Sequence, residues 1–216
     1  MIRRKVIPGM MFLLYMVSPA MAQDPAAKKI LAEVSRIYRT YDVIKTDFSY
    51  TVENPQEKTK QTEAGTLYVK SKTNKYKVQL KEQEMVSDGK TRWTYLKEDK
   101  EIQIGEADNT DAMNPARIFI IYETGFKYVY SGETKSNGRV YQTVDLTPVD
   151  TKRSYFKIRL SIDKVLKQVR GATIFDKNGN KYTYAIKTFT PNVKVPESTF
   201  TFDVKKYPGV EVVDLR

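Results

Sequence analysis

Apolar residues recur along this chain with two different periods. From Pro25 onward, Ile30, Leu31, Val34, Ile37, Tyr38 and Tyr41 lie three or four positions apart, the spacing that lines one side of an α-helix. Lys28, Lys29, Glu33, Arg36 and Arg39 take the other side, so the pattern predicts one amphipathic helix over residues 25–40. From Lys45 the period falls to two. Phe48, Tyr50 and Val52 alternate with Asp47, Ser49 and Thr51, and Tyr76, Val78 and Leu80 alternate with Lys75, Lys77, Gln79 and Lys81. Such alternation marks antiparallel strands with one apolar face and one wet face. Asp-Gly or Asn-Gly pairs in Ser87-Asp88-Gly89-Lys90, Ser136-Asn137-Gly138-Arg139 and Lys177-Asn178-Gly179-Asn180 predict tight hairpins. Strands are expected at 91–97, 126–132, 139–146, 155–162, 165–175 and 182–189, and TFTFDV (199–204) closes the set. About ten or eleven antiparallel strands in meander order are too many for a flat sheet, and curl into a barrel or half-barrel. The fold class is therefore mainly β with α: one antiparallel domain whose helices are placed to cap an open side.

One segment breaks the alternation. In NTDAMNPARIFIIYETG (109–125), Asn114 is placed as an N-cap, Pro115 as the first helical residue and Gly125 just past the end. Ile118, Phe119, Ile120, Ile121 and Tyr122 are consecutive, so this short helix must be covered on most sides. An unclosed barrel has an interior that is either filled by its own side chains or open to a ligand. The alternating positions Phe48, Tyr50, Tyr76, Val78, Leu80, Trp93, Tyr95, Ile102 and Ile104 supply an aromatic-rich candidate wall, and Met113, Ile118, Ile121 and Tyr122 a candidate lid. Ordinary core explains the same spacing. The 15 tyrosines favour a wall that is partly wet, because a phenol needs a polar partner. Met85 and Met113 are adaptable apolar side chains, for which filling the core is favoured over contacting a ligand.

Composition narrows the chemistry. Arg3, Arg4 and Lys5 precede a short apolar run, and small residues at Ala20 and Ala22 follow it, so residues 1–22 are expected to be a signal peptide cleaved before Gln23. The domain then spans 23–216. The chain has no cysteine, so it carries no lipid-modified Cys, and no histidine. Serine or cysteine triads built on His, and zinc sites built on His or Cys, are excluded. No pair of carboxylates forms a catalytic motif, and neither an enzyme, a metal nor a cofactor is expected. Lys and Arg number 37 against 26 Asp and Glu; removing Arg3, Arg4 and Lys5 takes the net charge from +11 to +8. A basic surface suits anionic headgroups or an acidic partner. Export argues against nucleic acid, and the charges are scattered as on any solvated surface.

Three stretches carry a resemblance. MVSDGKTRWTY (85–95), AGTLYVK (64–70) and STFTFDVKKYPGVEVVD (198–214) resemble, in order, segments of the periplasmic outer-membrane lipoprotein carrier (LolA) family. The resemblance implies an unclosed barrel lidded by helices over a cavity for acyl chains. It further implies a monomeric periplasmic chaperone without catalysis. Such a carrier receives acylated lipoproteins from an inner-membrane ABC transporter and delivers them to an outer-membrane receptor or the membrane itself. The alternative within the same fold is a module that senses lipids or lipoproteins and signals to a partner protein. On this resemblance the strands of residues 85–104 form part of the cavity wall, although Trp93 could instead be a structural pin on the other face. Family members carry an Arg that latches the lid just after the Gly-x-Leu-aromatic-Val-Lys strand. Here Ser71 stands in that place and Lys72 follows, a weaker candidate because Lys lacks the planar fork.

Overall fold

The computed structural model describes residues 24–107 and 114–216; the expected signal peptide and Met113 lie outside them. One α-helix, α1 (Pro25–Tyr38), leads the fold. Its start is fixed by Asp24, whose carboxylate accepts the Ala26 and Ala27 N–H groups, and by Pro25 in the first turn. Its buried residues Ala27, Ile30, Leu31, Val34 and Tyr38 are the stripe that the spacing predicts.

The strands are β1 (Val43–Asn54), β2 (Thr59–Lys70), β3 (Lys75–Gln79), β4 (Gln83–Asp88), β5 (Thr91–Leu96) and β6 (Glu101–Glu106), then β7 (Phe126–Ser136), β8 (Arg139–Pro148), β9 (Tyr155–Asp163), β10 (Gln168–Asp176) and β11 (Lys181–Ile186), and finally β12 (Thr190–Pro191) and β13 (Glu211–Asp214). They form one unclosed sheet in the order β13-β6-β5-β4-β3-β2-β1-β11-β10-β9-β8-β7, with β12 paired to β1. The predicted Gly turns all occur: Gly89, Gly138 and Gly179 have φ of 99°, 71° and 89°, and Asn137 joins Gly138 at 49°.

Four expectations change. Among the described residues the sheet has 13 strands rather than ten or eleven, and β13 pairs with β6 in parallel. It is not a single meander: β1–β6 and β7–β11 are two meanders joined by the β1–β11 pair, which puts β7 at one end and β6, edged by β13, towards the other. TFTFDV is not a strand. Its residues belong to two 3-10 turns, Glu197–Phe200 and Val204–Lys206, and the stretch between them, because Phe200 is buried to 1% exposure there rather than aligned in a ladder. The second helix is also 3-10, Pro115–Phe119 and Ile121–Glu123, broken at Ile120 where φ is −135°. Asn114 does cap it, accepting the Ala116 N–H at 2.9 Å. Clustered Ile residues lower the preference for a regular α-helix, and Ile118, Phe119, Ile121 and Tyr122 are all buried, so no single stripe sets its phase.

The free edge at β7 is partly blunted. The Asp24 carboxylate that caps α1 also accepts the Tyr130 N–H of β7 at 2.9 Å, occupying a donor that an edge strand would otherwise offer to another chain.

Candidate functional site

Directly paired residues in a sheet point to the same face, so the register sorts every candidate. Phe48 pairs with Ile186, Tyr50 with Tyr184, Leu67 with Val78 and Val69 with Tyr76. Gly65, opposite Phe48, leaves room for Leu80. Phe48, Tyr50, Tyr76, Val78 and Leu80 therefore share one face, on which α1 and the 3-10 turn Pro115–Phe119 also pack. We call it the helix face. Ile158, Leu160, Ile162, Ala172 and Ile174 continue it across β9 and β10. Alternation in 155–162 and 165–175 made these residues legible as strand core, but not as neighbours of the 3-10 turns.

The other four wall candidates lie elsewhere. Val78 pairs with Met85 and Met85 with Thr94, so the helix face of β5 carries Arg92, Thr94 and Leu96. Trp93 pairs with Val86 and Ile104, and Tyr95 with Ile102. Trp93, Tyr95, Ile102 and Ile104 thus stand on the opposite face. There the C-terminal segment covers them: Trp93 stacks on Phe202 with ring centroids 6.3 Å apart, Tyr207 lies 4.8 Å from Tyr95 and 4.9 Å from Phe202, and β13 brings Val212 beside Ile102. Val86, Ile102 and Phe200 are buried in this second patch, apart from the main cluster. Glu197 fastens the segment to Lys70 and Lys75 on the same face.

Beneath the 3-10 turns the apolar side chains pack closely. Ile118, Ile121, Ile158, Ala172, Ile174 and Tyr184 enclose only about 10 Å³, room for one water at most. Tyr122 is buried beside them, and burial pushes its phenol well above the ordinary tyrosine range. Tyr38 of α1 stacks on Phe119 at 5.4 Å, and Phe119 meets Phe189 edge-on at 5.8 Å. Burial pushes the Tyr38 phenol up to about 12, the nearby Ser71 hydroxyl pulling weakly the other way. An open groove of about 400 Å³, lined by Arg117, Ile121, Phe126, Val149 and Arg153 among others, runs along the end of this apolar packing.

Polar contacts ring the packing rather than cross it. Asp24 holds Tyr130 on β7, Glu33 meets Lys167 at 2.9 Å between α1 and the β9–β10 turn, and Glu123 binds Ser35 and Arg39, the latter at 3.2 Å. Ser71, in the place of the family's latch Arg, is buried beside the Tyr38 phenol. Lys72 lies at a recess shared with Tyr38, Arg39, Ile120 and Glu123.

Residues 39–203 match the model of the family described as outer membrane lipoprotein carrier protein LolA. The chain belongs to the LolA family. The match begins just beyond α1 and ends in the C-terminal segment. An outer-membrane lipoprotein carrier protein of Pasteurella multocida (strain Pm70) is 26% identical over 196 residues, covering 88% of each chain. Among solved structures, an uncharacterized conserved protein from Thermus thermophilus superposes with a TM-score of 0.55 at 15% identity, covering 88% of this chain and 99% of that one. A DUF1329 family protein from Desulfovibrio piger ATCC 29098 does so with 0.53 at 11%, covering 82% and 98%. These two likenesses concern the fold alone. Among the described residues, no helix of this LolA-family chain is long and apolar enough to cross a membrane.

Proposed function

We propose that this protein is a periplasmic carrier that takes the acyl chains of lipoproteins between its helix face and the lid of α1 and the 3-10 turns, and moves them from the inner to the outer membrane without catalysis. The observation that carries this reading is an apolar layer of Ile118, Phe119, Ile121 and the stripe of α1, packed on an apolar sheet and fastened by polar contacts at its perimeter. Surface ion pairs of that kind contribute roughly 0–1 kcal/mol each, so the fastening is easily exchanged. In place of the family's Arg latch, Arg39 and Ser35 close on Glu123.

The close packing fits reversible transport. Each CH2 transferred from water gains about 0.8 kcal/mol, so two or three long chains buried outright would bind by about 20–30 kcal/mol, beyond any releasable affinity. Here entering chains displace the lid's own apolar side chains. One apolar contact replaces another, and the net gain stays small enough to reverse.

The test is binding of a fluorescent triacyl lipopeptide without any membrane. A Glu33→Cys/Lys167→Cys variant joined by a short bis-maleimide ties α1 to the sheet where the salt bridge stands. Wild type and the unjoined variant should bind; the joined protein should not. Binding that survives the link would place the chains elsewhere, and no binding by the wild type would end the proposal. Hand-over of bound lipopeptide to acceptor vesicles separates a carrier from a sensor, which would retain it.

A further inference from the structure

The turn between β9 and β10 holds two adjacent apolar side chains in solvent: Val165 is 82% exposed and Leu166 42%. The turn is tightly built. Asp163, buried to 2% exposure, accepts the N–H groups of Val165 and Leu166 at 3.0 and 2.9 Å and the Arg139 guanidinium at 3.0 Å. Lys164 N–H donates to the Val140 carbonyl and Lys167 N–H to that of Asp163, both at 2.9 Å. The backbone is therefore satisfied from beneath while both apolar side chains point outward, an arrangement that packing within the chain does not require.

Cations surround this tip. Lys164 and Lys167 flank it in sequence, the neighbouring β7–β8 hairpin brings Lys135 and Arg139, and α1 brings Lys29 and Arg36 beside Glu33. Lys164 meets Glu133 at 2.8 Å and Lys167 meets Glu33 at 2.9 Å; such surface pairs are weak and exchange with other anions. The tip also borders the seam between α1 and β10, lined by Val34, Ile37, Tyr41, Val169 and Phe189 with Lys167 at its rim.

We propose that the β9–β10 turn is a membrane-docking tip, which inserts Val165 and Leu166 into the interface of an anionic phospholipid bilayer while Lys164 and Lys167 meet headgroup phosphates. An apolar tip in a basic collar matches such a surface in both polarity and charge. Two modest side chains give weak, reversible attachment, which suits a protein that must leave again. A phosphate that draws Lys167 from Glu33 loosens α1 at the seam, so docking and opening coincide. The inference stands independently of the cargo reading, since it requires only lipid.

The chain has no cysteine, so Val165→Cys can carry a single environment-sensitive fluorophore, with Asn178→Cys in the exposed β10–β11 turn at the other end of β10 as the control. Vesicles of phosphatidylglycerol and phosphatidylethanolamine, free of lipoprotein, should blue-shift the label at 165 and leave that at 178 unchanged. Unlabelled Val165→Ser/Leu166→Ser protein should partition onto these vesicles roughly tenfold less than wild type, and wild type should partition less onto purely zwitterionic ones. No shift at 165, an equal shift at both labels, or undiminished partition of the double variant would overturn the proposal. The vesicles hold no acylated cargo and the lipopeptide assay holds no bilayer, so each reading can fail alone.

Discussion

Phe200→Ala separates the two apolar faces of the sheet. Phe200 is 1% exposed and lies in the patch with Val86 and Ile102, each also at or below 1%, outside the cluster beneath α1. Truncating a buried Phe costs about 3–5 kcal/mol, less where neighbours can collapse into the gap. The C-terminal segment is held by the Glu197 pairs, the Trp93–Phe202–Tyr207 stack and the short β13 ladder, so it can settle partly inward, and about 3 kcal/mol is expected. That is a large share of the roughly 5–15 kcal/mol typical of a whole domain. Trp93, the chain's one tryptophan, reports on this patch directly. Urea unfolding followed by its fluorescence and by far-ultraviolet ellipticity should show both midpoints lowered by roughly 1–2 M, the fluorescence midpoint more. Lipopeptide binding in the absence of urea should stay within about twofold of wild type, because the patch faces away from the proposed lid. A loss below about 1 kcal/mol, or abolished binding by a folded variant, would refute the assignment of these aromatics to a separate face.

Two further outcomes follow from the helix face. At Gly65 an added Cβ would lie 2.6 Å from Leu80 Cδ2, 2.8 Å from Phe48 Cζ and 2.9 Å from the Gln79 carbonyl oxygen, so Gly65→Ala should cost about 1–3 kcal/mol by overpacking, read as a lowered urea midpoint; a neutral result would mean that Phe48 and Leu80 move aside freely. Tyr38 keeps its proton up to about 12 when folded, against an ordinary 10.0, so above pH 10 the unfolded chain releases a proton that the folded chain retains. Stability should therefore fall as pH rises across that window, by up to about 1.4 kcal/mol per pH unit from Tyr38, with Tyr122, also raised by burial, adding to it; Tyr38→Phe should lower the slope in denaturation series without abolishing it, and an unchanged slope would show that Tyr38 does not contribute.

Alternation in a sequence assigns residues to two sets along a strand; it does not say which set lies inward. Where only one face is covered, polarity settles the matter, and α1, Phe48, Tyr76 and Val78 were legible for that reason. In β5 neither face is buried outright: all six residues of Thr91–Leu96 are partly buried. Trp93 and Tyr95, as the larger apolar residues, were grouped with Val78, yet the register from Val78 through Met85 to Thr94 carries the polar set to the helix face. The missing information was the destination of Phe200, Phe202 and Tyr207. TFTFDV read as a closing strand, whereas Asp203, whose carboxylate accepts the Lys205 N–H, and Pro208-Gly209, with φ of 77° at the glycine, turn the segment back across β4–β6. The same consideration explains Val78→Glu. From alternation alone it looks like a change to a wetted wall that would spare the fold, but Val78 is fully buried, so the carboxylate would be interred without a partner and the sheet itself would yield. A site whose ligand takes the place of its own lid is built from core residues, and there binding and stability cannot be separated by a single charged substitution; they separate only by tethering the lid, which leaves the core intact.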